Sequence, residues 1–108
     1  KISGLAFFSY DPAEDRFVRS AAIDAMFGFE PDEAGPSAVP FFERIMPEDL
    51  PAVQEELERA FREGVGTSAS YDYRVKVPGL ARPRYIRVRS GVERDPADGA
   101  LKLFGAFV

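Results

Sequence analysis

The sequence predicts one α+β domain, in which an antiparallel sheet is covered on one face by helices, and three observations lead to this prediction. An aromatic stretch near the start of the chain runs into an acidic turn, as in a β-hairpin. The middle of the chain holds a long amphipathic helix pattern within Phe41 to Gly64. After Gly64 the apolar residues recur with a period of two. Strands and helices segregated in this order favour an α+β arrangement.

Composition limits the classes of function. The 108 residues suffice for one domain, and 45% apolar with 30% charged residues describes an ordinary globular protein. The absence of Cys and His removes thiolate nucleophiles, Cys metal sites and the commonest general base. The formal charge of −4 argues against nucleic-acid binding, and no apolar run approaches the ~20 residues of a membrane helix. We therefore expect no catalytic or metal site, no nucleic-acid partner and no membrane contact.

The start of the chain is predicted to form a hairpin and a short helix. Leu5 to Tyr10 indicates a strand, Asp11 to Asp15 has turn composition, and Arg16 to Arg19 can return as a second strand. Ser20 is a good N-cap for a short helix that ends at Gly28. The inner face of this helix would consist of Ile23, Met26 and Phe27.

The middle of the chain is predicted to be a loop followed by helices. Phe29 to Pro40 contains three Pro and indicates a loop, and Phe41 to Ile45 indicates one short helical turn. Pro47 suits the first position of the long helix, because a missing N–H costs nothing there. Asp49 could then accept from the N–H of Met46 as half of a capping box. The buried stripe of this helix would comprise Leu50, Val53, Leu57, Ala60 and Phe61.

Three strands are predicted after the long helix, at Ser68 to Val77, Arg82 to Arg94 and Leu101 to Val108. The first two alternate between an apolar and a charged face, whereas the third has apolar residues on both faces. The third strand is therefore predicted to lie inside the sheet, covered on both sides and paired with the N-terminal hairpin. Gly105 would allow a close approach of the backbone there.

The order of these elements, with short sequence words spread over nearly the whole chain, resembles a PAS domain of the sensory-box type found in bacterial sensor histidine kinases and cyclases. The matching words are FSYDPAEDRFVRS, AMFGFEP, FFERIMPEDLPAV, YDYRV and RPRYIRVRSGVERDPADGALKLFGAFV. No single word is specific, but their order and spacing are. The resemblance implies a PAS-like five-stranded antiparallel sheet with short helices and one longer helix packed on one face.

The sequence departs from the family pattern at positions that matter for cofactors. Met46 stands where the family usually has His, and Tyr85 replaces the usual Trp. The Cys motif of the subclass that forms a flavin photoadduct is absent, and so is the His that ligates haem in oxygen-sensing members. These absences argue against a covalent flavin adduct and against a His-ligated haem. The cofactor stays unknown, and a non-covalent flavin or a small metabolite remains open.

A pocket between the helices and the sheet is the candidate ligand site. Its predicted lining comprises Met26, Phe27, Phe42, Val53, Leu57, Tyr73 and Arg74. The competing interpretation is a packed core, since ten Phe in the chain have to be buried somewhere. Arg74 lies on the polar face of its strand, where it could bind an anionic ligand or pair with Glu48 or Asp49.

Three surface features remain: apolar residues on the outer face of the sheet, a basic segment of two strands, and the acidic turns. Tyr85, Phe104 and Val108 are candidate interface residues on the outer face of the sheet. The basic residues between Tyr71 and Arg94 interleave with tyrosines, as in single-strand nucleic-acid binding, but the net charge favours a solvated strand face. The acidic turns fit turn chemistry, because their spacing does not match a calcium loop.

These observations predict a non-catalytic sensory module. It would bind a small ligand or mediate dimerisation, and it would relay a conformational change to an output domain beyond Val108, such as the kinase or cyclase of a two-component system. The alternative is a ligand-free interaction scaffold with a fully packed core. Because the chain starts at Lys1 rather than Met, we expect residues 1–108 to be a single PAS-like sensor domain excised from a longer signalling protein. We also expect this domain to be cytoplasmic and to form a homodimer.

Overall fold

The computed structural model describes residues 5–108, which form a five-stranded antiparallel sheet with three helices on one face. The first four residues of the predicted domain lie outside this description. The predicted α+β fold class is therefore confirmed. The elements are β1 (Phe7–Asp11), β2 (Arg16–Arg19), α1 (Ala21–Met26), α2 (Val39–Arg44), α3 (Leu50–Glu63), β3 (Ser68–Val75), β4 (Arg84–Arg94) and β5 (Leu101–Phe107).

The order of the strands across the sheet is β2-β1-β5-β4-β3, so the last strand of the chain is the central one. It pairs antiparallel with β1 of the N-terminal hairpin on one side and with β4 on the other. Both the central position and the pairing agree with the prediction from its apolar residues. Gly105 lies opposite Phe8 of β1 and Ser90 of β4, where the backbones and side chains approach closely.

The prediction that β5 is covered on both faces was wrong for the part of the chain that the structure describes. Leu103 on its inner face is buried, whereas Phe104 is 37% exposed and Val108, just beyond the strand, is 70% exposed. All three helices pack on the inner face, since the buried apolar residues of each belong to one core cluster with the inner residues of the strands. The apolar residues of the outer face have no covering layer within residues 5–108.

The start of the long helix also differs from its prediction. Pro47 lies in a turn, and α3 begins at Leu50, so Pro51 rather than Pro47 is the proline of the first helical turn. The predicted capping box is absent, because the N–H of Met46 donates to the backbone oxygen of Arg74. The carboxylate of Asp49 binds the side chain of Arg74 instead of the helix end.

The short helix α1 lies within the predicted bounds, but the residue that precedes it behaves differently. Ser20 occupies the N-cap position without a hydrogen bond from its side chain to the helix. Its hydroxyl instead accepts from the N–H of Phe7 and donates to the backbone oxygen of Leu5. Ser20 therefore ties the end of the hairpin to β1. Gly28, at φ +82°, terminates the helix as predicted.

Candidate functional site

A small cavity lies between the helices and the inner face of the sheet. Its volume is about 50 Å³. Typical ligand pockets enclose roughly 300–1,000 Å³, so this space holds little more than water in its present form. Its walls come from both layers and consist of Phe8, Tyr10, Phe17, Phe27, Ala38, Phe41, Phe42, Ile45, Val53, Leu57, Tyr71, Tyr73, Leu103 and Phe107.

Five phenylalanines of this wall form a closed circuit of edge-to-face contacts. Each ring contacts the next at a centroid distance between 4.9 and 5.8 Å, and the interplanar angles lie between 68° and 84°. Such aromatic pairs add stabilisation beyond their buried area. In order around the cavity the circuit is Phe8, Phe17, Phe41, Phe27 and Phe107. Because the circuit links the hairpin, α1, α2 and β5, displacement of one ring would be felt by all of them.

Three tyrosines, Tyr10, Tyr71 and Tyr73, supply the polar side chains of the cavity wall within residues 5–108. The rings of Tyr71 and Tyr73 stack at a centroid distance of 6.1 Å. Burial raises the pKa of all three phenols above the ordinary value. The three groups therefore stay neutral at physiological pH and can act as hydrogen-bond donors or acceptors but not as bases.

Five of the seven predicted pocket residues line the cavity: Phe27, Phe42, Val53, Leu57 and Tyr73. Met26 does not line it, because its partly buried side chain packs at the edge of the core while its backbone oxygen accepts from Arg84. Arg74 does not line it either, because strand alternation turns its side chain to the outer face. The cavity-lining interpretation and the packed-core interpretation thus describe the same aromatic cluster, with a small void inside it.

Arg74 is held by Asp49 at the start of α3. The Nε and Nη2 atoms of Arg74 donate to the two carboxylate oxygens of Asp49 at 2.9 and 2.8 Å, and the backbone N–H of Arg74 donates at 2.8 Å. These hydrogen bonds lower the pKa of Asp49 to about 2. The predicted pairing of Arg74 with a neighbouring carboxylate is confirmed, and this guanidinium is therefore not free to hold an anionic ligand.

A wide groove outside the cavity shares part of the cavity wall. Its volume is about 800 Å³, and it lies between α3, the β1–β2 turn and the β4–β5 turn. Tyr10, Phe42 and Leu57 line both the groove and the cavity, so these three side chains form the partition between them. The rings of Tyr10 and Phe42 meet edge to face at 6.3 Å. Movement of this partition would join the two spaces.

A buried ion pair behind the cavity wall was not predicted from the sequence. Arg19 donates to both carboxylate oxygens of Asp24, and their side chains are only 9% and 11% exposed. The guanidinium lies over the ring of Phe41 at 4.4 Å and also binds the backbone oxygen of Gly35. The pair therefore holds the loop after α1 against the aromatic wall. A spacing of five residues across a strand end and a helix matches no ion-pair pattern that the sequence could signal.

The outer face of the sheet carries a patch of exposed apolar side chains. Phe7 is 55% and Val18 is 57% exposed, next to Phe104 and Val108, and these four residues together are named the outer patch. Tyr85, at 77% exposed, lies on the same face further along β4 and shares a shallow hollow with Val108. Tyr85, Phe104 and Val108 are thus exposed on the face where they were expected, while their role as an interface stays a prediction.

The acidic turns have the predicted turn chemistry. One carboxylate oxygen of Asp11 accepts from the N–H groups of Ala13 and Glu14 in the β1–β2 turn. In the β4–β5 turn, Asp95 and Asp98 both pair with Lys102 at 2.8 and 2.9 Å. Within residues 5–108, no three acidic residues converge in a way that could hold a metal ion.

Residues 5–108 contain no helix that is both long and apolar enough to cross a bilayer.

Comparison with known proteins gives no match to a family model and no match to a curated sequence. Similarity to known proteins is seen instead in the three-dimensional structure.

The fold is that of a PAS domain. The N-terminal domain of a diguanylate cyclase with a PAS/PAC sensor from Marinobacter aquaeolei superposes with a TM-score of 0.76 at 20% identity, covering 97% of this chain and 94% of that one. A domain of a histidine kinase from Haloarcula marismortui, described as light and redox sensing, gives 0.77 at 15% identity over 99% and 90%. A sensory box histidine kinase/response regulator from Burkholderia thailandensis gives 0.74 at 18% identity over 98% and 76%.

Proposed function

We propose that this domain is a non-catalytic sensory module that forms a homodimer through the outer face of its sheet and relays structural changes to an output domain. The observation that carries the proposal is the outer patch, which is exposed on a sheet whose other face is packed. Exposed apolar patches of this kind mark association surfaces. The structurally similar proteins include a diguanylate cyclase and histidine kinases, so a cyclase or a kinase is the output domain proposed.

The central strand offers a route from the interior to this surface. On its inner face β5 carries Phe107, which belongs to the aromatic circuit around the cavity. On its outer face the same strand carries Phe104 of the outer patch. A rearrangement of the circuit that moves β5 would therefore change the association surface. A ligand shifts the balance between the original and the rearranged circuit only if it binds one of the two more tightly than the other.

The size of the cavity limits the ligand in this proposal. A space of about 50 Å³ admits a molecule of a few atoms without rearrangement. Anything larger has to displace the partition of Tyr10, Phe42 and Leu57 and extend into the groove outside. The second candidate function, a ligand-free association scaffold, is favoured by the same small volume. Native mass spectrometry distinguishes the two, since a small mass that leaves on denaturation would identify a bound ligand.

The association proposal is tested by the oligomeric state of the 108-residue chain. Sedimentation velocity is expected to show a dimer, and Phe104→Glu is expected to convert it to a monomer because it places a charge in the apolar contact. Val39→Glu is the matched control, since Val39 is 50% exposed on α2, in the helical layer. The proposal is contradicted if the wild-type chain stays monomeric at about 1 mM. At that concentration, only interactions weaker than ~4 kcal/mol escape detection. A dimer that Phe104→Glu leaves intact would also contradict the proposal.

A further inference from the structure

Strand β4 presents two charged side chains on the outer face that have no partner within the described chain. Its outward residues alternate from Tyr85 to Glu93, and Arg87 among them pairs with Asp72 of β3 at 2.9 Å. Arg89 and Glu93 are both exposed and make no ion pair with another side chain of residues 5–108. The two charges are opposite in sign, and they lie on the strand next to Phe104 of the outer patch.

The positions of these charges are symmetric about Gly91. Each lies two residues from Gly91, so they stand about 7 Å on either side of it along the strand. Gly91 faces Phe104 across the ladder, Phe104 faces Ser9, and Ser9 faces Val18. These four residues form one row that crosses the sheet at right angles to the strands, and it is named the central row.

From this symmetry we infer that a second copy of the chain docks on the outer face with its two-fold axis along the central row. An axis in that direction places Arg89 of each copy over Glu93 of the other, so the dimer contains the ion pair twice. The same axis places Phe104 against Phe104 and Val18 against Val18, which buries the middle of the outer patch. Two sheets packed in this way keep their strand directions within about 30° of each other. The inference rests on the proposed function, because it specifies the geometry of the proposed homodimer.

The charge of Arg89 favours this axis over a two-fold axis parallel to β5. A two-fold axis parallel to β5 would bury the same apolar residues but would set Arg89 over Phe7 of the second copy, as the ladder registers show. That arrangement removes a guanidinium from water without a carboxylate, which is strongly unfavourable. The axis along the central row instead pairs Arg89 and Glu93 of each copy with the opposite charges of the other copy. It also leaves Tyr85, about 20 Å from the row along β4, outside the overlap of the two sheets.

A charge-swap experiment on the 108-residue chain tests the geometry. Arg89→Glu and Glu93→Arg each create two like-charge contacts in the dimer, and each is expected to raise the dimer dissociation constant at least about tenfold. The double variant Arg89→Glu/Glu93→Arg restores opposite charges and is expected to return it to within about threefold of the wild type. Arg62→Glu on α3 makes the same charge change in the helical layer, and Tyr85→Glu lies on the same face beyond the overlap; both should leave the dimer intact. Circular dichroism confirms that each variant is folded.

The outcomes separate the inference from the function on which it rests. Loss of the dimer in both single variants with recovery in the double variant supports the axis along the central row. A dimer that Phe104→Glu disrupts but Arg89→Glu leaves unchanged, or that the double variant fails to restore, overturns the axis while the outer face remains the interface. A wild-type chain that is monomeric, or a dimer insensitive to Phe104→Glu, overturns both.

Discussion

Asp49 links the beginning of α3 to β3 through a single carboxylate. The titration of this one residue is expected to make the unfolding free energy depend on pH. Hydrogen bonds from Arg74 lower its pKa in the folded chain to about 2, below the ordinary value of 3.8. The folded state therefore binds a proton here less readily than the unfolded state, so the pair stabilises the fold above about pH 4 and this contribution is lost as the pH falls toward 2. The difference in unfolding free energy between wild type and Asp49→Asn should be largest at neutral pH and should shrink through that range.

A double-mutant cycle isolates the pair from the other carboxylates that titrate in acid. Urea unfolding of the wild type, Asp49→Asn, Arg74→Gln and the double variant gives the coupling energy between the two side chains. This coupling is expected to be favourable at pH 7 and to be mostly lost near pH 2, where the carboxyl of Asp49 is about half protonated in the folded chain. A coupling that stays constant between pH 7 and pH 2 would show that the charge of Asp49 plays no part in it.

Gly105 determines how closely β5 can approach its two neighbours, which is a property of the element. A Cβ atom at this position would lie 2.5 Å from the backbone oxygen of Arg89, 2.7 Å from the Cβ of Ser90 and 3.0 Å from the ring of Phe8. Two of these contacts involve the backbone or an atom attached to it, so they cannot be relieved by a rotamer change. Gly105→Ala is expected to lower the unfolding free energy by about 2–3 kcal/mol, the upper part of the range for overpacking.

Gly91 on β4 provides the matched control for this prediction. A Cβ there would meet the backbone oxygen of Thr67 at 3.5 Å, an ordinary contact distance. Gly91→Ala is therefore expected to change the unfolding free energy of the monomer by less than about 1 kcal/mol. If chemical denaturation gives equal losses of unfolding free energy for Gly105→Ala and Gly91→Ala, the destabilisation comes from replacing glycine by alanine in a strand. It would then not come from the close approach of the backbones at β5.

The elements were largely predictable, and the exceptions have local causes. Alternation located β3, β4 and β5 to within two residues, because one face of each is buried in a single core. The start of α3 was misplaced because two prolines, Pro47 and Pro51, both suit a first helical turn. The choice between them depends on Asp49, whose carboxylate binds Arg74 25 residues away instead of capping the helix. A contact at that separation leaves no trace in a local pattern.

At the scale of the whole molecule, the candidate site was predictable in part. Amphipathic periodicity correctly placed residues such as Leu57 and Tyr73 on the cavity wall, since each belongs to an inward face. It could not exclude Met26, because the end of a short helix can point to the core or to its edge. The buried pair of Arg19 and Asp24 could not be predicted either, because its geometry arises only after the hairpin and α1 have docked.

The packing of the whole domain makes a prediction about what its interior can bind. Phe41 is 3% exposed and contacts Phe17, Phe27 and Phe29 at centroid distances of 4.9 to 5.0 Å. Phe41→Ala would enlarge the cavity of about 50 Å³ toward the roughly 150 Å³ at which an apolar site binds benzene. The variant is expected to lose about 3–5 kcal/mol of unfolding free energy, and benzene should raise its melting temperature but not that of the wild type.

The control for this experiment removes a phenylalanine that does not line the cavity. Phe29 is buried and contacts the ring of Phe41 at a tilt of 58°, but it lies behind the wall, under the guanidinium of Arg44. Phe29→Ala should therefore lose stability without gaining a response to benzene. A wild-type chain stabilised by benzene as strongly as Phe41→Ala would mean that the aromatic circuit already opens in solution. The interior would then accept ligands much larger than its static volume, through movement of Tyr10, Phe42 and Leu57 toward the outer groove.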